Sequence, residues 1–120
     1  MDAASALADL TEISSQVEAA VVVDAEGAVL ASTIAGETDT ARLAQAGLEL
    51  LETATSRFGS STRLVTQLEA ALREGSVFVA QADRLGIVAR TSAKPSSGLV
   101  LYDLRTCLRA VAEKTETADA

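Results

Sequence analysis

The sequence has no histidine and no tryptophan, a single cysteine and proline, one tyrosine and two phenylalanines in 120 residues. Each shortage excludes something. Without histidine the commonest general base and metal ligand is missing, so a serine or cysteine nucleophile has no imidazole to activate it and a catalytic triad is ruled out. A lone cysteine, Cys107, cannot close an intramolecular disulfide, and an unpaired thiol suits a reducing compartment, so a cytoplasmic protein is expected. Basic residues are few, 10 Lys and Arg against 17 Asp and Glu, a formal charge of -7. Phosphate-backbone binding needs clustered Lys and Arg. Neither nucleic acid nor an anionic membrane is therefore expected as a partner. No run approaches the roughly 20 apolar residues that span a bilayer. Residues 1–10 carry acids and no basic leader, so no targeting segment is expected.

What is abundant is Ala, Val and Leu. The chain is 48% hydrophobic but only 2% aromatic, and 120 residues suffice for one domain with one core. That core must be filled by small aliphatic side chains, which suit helices packed closely on a sheet.

Residues 2–17 place Leu7, Leu10, Ile13 and Val17 on one helical stripe, with Asp2 able to cap the start. Residues 18–24 (EAAVVVD) are short and β-branched, and Gly27 leads into residues 28–33 (AVLAST), which predicts a hairpin over residues 18–33. Three consecutive valines, 21 to 23, imply a strand covered on both faces, hence helices on both sides of the sheet. Residues 38–58 read as a middle helix, capped by Thr38 or Asp39 and stopped by Gly59. Its apolar and small residues, from Ala41 and Leu43 through Leu50 to Phe58, cover an arc of roughly 220°, against the ~100° that one sheet contact needs. Residues 62–92 predict three strands, 62–72, 76–83 and 85–92, in an antiparallel meander with a tight turn at Asp83-Arg84. Pro95 breaks the pattern before a last helix over residues 99–114, with Leu101, Leu104, Leu108 and Val111 on its buried face and a frayed polar tail at 115–120. The expectation is a single α+β domain of order α-β-β-α-β-β-β-α.

Residues with chemical potential are sparse. Cys107 lies at the edge of the last helix's apolar stripe, where a cysteine usually packs as a small hydrophobe. Asp24 and Glu26 flank the first turn without calcium-loop spacing and suit a solvated turn. Gly98 alone is far from a phosphate-binding glycine motif. The arginines are dispersed among acids, as on a solvated surface. No catalytic, cofactor-binding or metal site is assigned, and the expectation is a protein that binds proteins and is not an enzyme.

Residues 10–32 (LTEISSQVEAAVVVDAEGAVLAS) resemble the opening of roadblock/dynein-light-chain domains. Residues 63–69, the Gly75 turn into residues 76–82, and Gly98-Leu99-Val100-Leu101 also look like that family, so the resemblance covers about residues 7–111. It implies a three-layer, profilin-like α/β/α fold: a five-stranded antiparallel sheet with the middle helix on one face and the terminal helices on the other. It further implies homodimers paired through the middle helix and third strand, and a regulatory or scaffold role toward a small Ras-like GTPase. The bacterial members that this chain resembles often partner a gliding-motility-type GTPase, reshaping its own catalytic loops.

For the dimer interface, Ala41, Ala44, Leu48 and Thr55 form the surplus stripe of the middle helix, with Gly47 permitting close backbone approach. The third strand contributes Arg63, Val65, Gln67 and Glu69. Alternatively, the surplus packs under the loop at residues 34–37. A small-ligand sensor or general dimerisation module is the competing function, against which stands the lack of an aromatic or polar pocket cluster.

Overall fold

The computed structural model describes residues 1–119, with side chains through Glu113. Its elements are α1 (Ala3–Ile13), β1 (Val17–Val23), β2 (Val29–Ser32), α2 (Glu37–Phe58), β3 (Gln67–Ala71), β4 (Ser76–Ala82), β5 (Leu85–Thr91) and α3 (Ser97–Asp119). The order is the one the sequence pattern predicts, and the strands form one antiparallel sheet of order β2-β1-β5-β4-β3. The first hairpin and the later meander are thus joined by pairing of β1 with β5, with Val21 opposite Val88 and Val22 opposite Ile87.

The valine run does what its lack of alternation requires. Ala20 and Val22 point to one face, where they pack with Phe78, Ile87 and Ala89 against Leu7 and Leu10 of α1 and Val100, Leu104 and Leu108 of α3. Ala19, Val21 and Val23 point to the other, where Val79 and Val88 meet Leu43 and Ala44 of α2. Period-two side-chain alternation makes a strand buried on both faces continuously apolar. The result is three layers, α2 above the sheet and α1 with α3 below.

Several boundaries differ from the sequence expectation for physical reasons. Helix α1 starts as expected, with Asp2 Oδ1 accepting from the Ser5 N–H at 2.7 Å. It stops at Ile13, not residue 17, because Ser14 turns extended and Val17 is already paired with Thr91. Helix α2 starts at Glu37 with Gly36 at the cap position and no side-chain cap, instead of at Thr38 or Asp39. Its start is held by a side chain further in: the Thr40 and Ser32 hydroxyls are 2.9 Å apart, and Ser32 Oγ also accepts from the Ile34 N–H at 3.0 Å. Helix α3 begins at Ser97 and continues past residue 114 to Asp119.

The largest change is in β3, which begins at Gln67 and not at residue 62. Strand β4 ends at Ala82, where Asp83 and Arg84, both at positive φ (49° and 70°), reverse the chain. The last rung between them is Gln81 N–H to the Thr66 carbonyl at 2.9 Å. Residues 62–65 therefore lie beyond the β4 ladder, whatever their β-propensity.

Candidate partner-binding surface

Strand β3 is an edge, and its hydrogen-bond phase shows what that edge offers. Thr66 and Leu72 direct main-chain groups toward β4, to Gln81 and Gly75. Alternation along the strand then turns the N–H and C=O groups of Gln67, Glu69 and Ala71 outward, away from the sheet. Leu68 packs toward α2, while Gln67 faces α3, where its Oε1 accepts from Arg105 Nη1 at 3.3 Å. Just before β3, residues 59–66 turn on themselves. Ser60 N–H donates to the Arg63 carbonyl at 2.8 Å, and Gln81 Nε2 reaches the Val65 carbonyl at 2.7 Å.

Large apolar side chains stand in solvent on the segments that flank this strand in the chain, Leu64 at 78% exposure, Phe58 at 71% and Leu72 at 66%. Phe58 is exposed because α2 outruns its sheet. Its 22 residues span about 33 Å, whereas a seven-residue strand such as β4 covers about 23 Å.

On α2 the interface residues expected from sequence separate into two groups. Ala44 is buried at 4% exposure in the protomer's own core. Gly47 faces that core too, where a Cβ would collide with the Val88 side chain. Leu48 is half-buried, its Cδ1 3.0 Å from where a Cβ on Gly27 would stand. That contact places the Leu48 flank over the β1–β2 turn. Ala41 and Thr55 remain exposed. At 100° per residue Leu50 stands roughly 200° from Leu48, so the flank of Ala46 and Leu50 looks toward the β3 side. Among the strand residues expected at the interface, Arg63, Gln67 and Glu69 are exposed and Val65 is half-buried. Leu64 and Phe58 were not singled out for the interface from sequence; their signal was an apolar residue at the end of a helix and in a polar segment, which exposure alone makes meaningful.

The residues with chemical potential are otherwise engaged. Asp24 Oδ1 accepts from the Glu26 and Ala28 N–H groups, each at 2.9 Å, and so closes the first turn around Gly27, whose φ is +85°. Cys107 is buried between α1 and α3; burial first, and then the Asp9 carboxylate, push its thiol up to about 11. Among the described residues no group of three or more Cys, Asp and Glu is placed to hold a metal ion, and no helix is long and apolar enough to cross a membrane. A cavity of about 220 Å³ lies under the second half of α2, with Leu48, Leu51, Val79 and Val88 in its wall and the polar Asp24, Gln81 and Arg84 also lining it.

Residues 4–89 match the Roadblock/LC7 domain family. The chain belongs to that family. No curated protein matches it, but solved structures do. A Roadblock/LC7 domain from Streptomyces avermitilis superposes with a TM-score of 0.81 at 16% identity, covering 97% of this chain and 99% of that one. The gliding protein MglB of Thermus thermophilus gives 0.68 at 16% identity, covering 96% and 89%. An MglB described as having a tetrameric arrangement gives 0.66 at 18% identity, covering 95% and 90%. At such identities the likeness is one of fold, and this Roadblock/LC7 chain shares it along nearly its whole length.

Proposed function

We propose that this Roadblock/LC7 chain is a homodimeric regulatory or scaffold protein that binds a small Ras-like GTPase and modulates its GTP hydrolysis. The observation that carries the reading is the open β3 edge with Leu64 and Phe58 exposed on the segments that flank it, a surface suited to another protein chain. Family membership and the fold shared with gliding-motility MglB proteins support it, as does the self-assembled arrangement of one of them. A standard interface takes roughly 800 Å² from each partner, about a tenth of this protomer's 7445 Å². A twofold pair presents a broad platform to a GTPase while keeping its own contact. The role is to bind and reshape the GTPase, whose own groups carry out hydrolysis.

The test is a calorimetric titration with the small GTPase encoded nearest this gene, loaded with GDP and, separately, with a GTP analogue. Binding that favours one loaded form, with a change in GTP turnover, is the expected result. No heat with either form contradicts the reading.

A further inference from the structure

We propose that the cavity between α1 and α3 is a binding site for a primary alkylammonium group, with the Asp103 carboxylate as its counter-ion. The site lies on the layer opposite α2 and does not depend on the GTPase reading.

Its origin is an acid set on an apolar stripe. Asp103 comes three residues after Val100 and four before Cys107, so it shares their side of α3, and only 8% of it is exposed. Facing it, α1 presents Ala6 and Leu10, with the exposed Asp9 and Ile13 at the rim. Between the helices, beside the short side chains of Ala6 and Ala110, lies a cavity of about 100 Å³ that Asp103 and Cys107 help to line.

Asp103 gives this cavity its chemistry. Among the described residues its carboxylate has no hydrogen-bond or ion-pair partner. A buried charge is costly unless paired. The terminal ammonium of Met1, which also lines the cavity, donates instead to the Ala110 carbonyl at 3.2 Å, so the pairing cation comes from outside the chain. A metal ion does not suit the site, because among the described residues no group of three or more Cys, Asp and Glu is placed to hold one. The walls ask for hydrocarbon: Leu10, Ala6 and Ala110 are apolar, and burial, then the Asp9 carboxylate, push the Cys107 thiol up to about 11 and so keep it neutral. A compact ammonium on an alkyl stem meets both demands. Volume sets the length of the stem. A cavity of ~150 Å³ holds a benzene ring, so about 100 Å³ suits a stem of about four carbons. A lysine side chain of another protein and a free alkylamine share this chemistry.

The test is an NMR titration of the folded protein at constant ionic strength with n-butylammonium chloride, and with n-butanol as its uncharged analogue. The amide resonances of Asp9, Leu10, Asp103, Thr106 and Cys107 should shift saturably with n-butylammonium, and n-butanol should bind at least about tenfold more weakly. Asp103→Asn should erase that preference and, by removing an unpaired buried charge, raise the urea midpoint of the free protein. Ala110→Leu, which fills the cavity and leaves the carboxylate in place, should abolish binding of both. Nα-acetyl-lysine N-methylamide and putrescine then separate the two sources. Saturation by the blocked lysine assigns the site to a partner's side chain, and saturation by putrescine alone assigns it to a free amine; saturation by neither overturns the proposal. Equal affinity for n-butylammonium and n-butanol, shifts confined to residues outside α1 and α3, or a preference that survives Asp103→Asn also overturns it. So does a urea midpoint lowered by Asp103→Asn, which shows that the fold itself pairs the carboxylate.

Discussion

Gly47 shows how one missing side chain sets the distance between two layers. Its Cβ position is occupied by the Val88 methyl groups, so α2 rests on the sheet closer there than any larger residue permits. Gly47→Ala should destabilise the fold by about 1–3 kcal/mol through overpacking. Gly98→Ala, where nothing lies within 4 Å and the residue is helical, should instead stabilise by about 0.4–1 kcal/mol. Opposite shifts in urea midpoint check the pair. Cys107 makes a second residue-scale prediction. Its thiol titrates at about 11 in the fold against 9.0 as the ordinary value. The unfolded chain therefore loses its proton first as pH rises, and stability falls between pH 9 and pH 11 by no more than about 3 kcal/mol. Below pH 9 both states are protonated and the effect vanishes. Cys107→Ala should flatten that portion of the urea-denaturation profile relative to wild type. The packing role of Cys107 was legible from its place on an apolar stripe. Gly47 was legible as a point of close approach, but a glycine in a helix does not declare which neighbour approaches it.

At the scale of elements, alternation and its absence carried most of the information. Valines 21 to 23 required cover on both faces, and the cores below and above the sheet supply it. Gly27 signalled the positive φ of the first turn, and Asp83-Arg84 signalled the second despite containing no glycine. Boundaries were less legible where tertiary pairing overrides propensity. Residues 62–65 look like strand, yet a strand needs a partner, and within the protomer β4 runs out. Helix α2 likewise begins earlier than its best capping residues suggest, because Thr40 is drawn into bonding with Ser32. That leaves Gly36 as an uncapped start, with extended backbone and open space around it. Gly36→Asp should place a carboxylate on the N–H groups of the first turn and stabilise by about 0.5 kcal/mol. An unchanged thermal midpoint in that variant shows that the loop at residues 34–36 holds α2 by other means.

The whole molecule is a five-stranded sheet whose β3 edge is open among the described residues. The sequence arc on α2 exceeded what one sheet contact requires, but a helical wheel carries no information on which flank faces the edge strand. Contacts of Leu48 at the Gly27 turn decide that, and they make Leu48 a poor site for probing the dimer, since a charge there strikes the protomer's own packing. Leu64 is the better probe, being 78% exposed. Leu64→Arg should leave the monomer folded, break self-association, and abolish GTPase binding with it. Cys107→Ala, on the opposite layer, should preserve both. Retention of wild-type GTPase affinity by a monomeric Leu64→Arg variant means that the partner site lies within one protomer. The mass of the wild-type particle tests the homodimer most directly. Sedimentation equilibrium at tens of micromolar, a range corresponding to roughly -6 kcal/mol of association free energy, should return about twice the 12.3 kDa of one chain, and a value that stays at the single-chain mass across that range contradicts it.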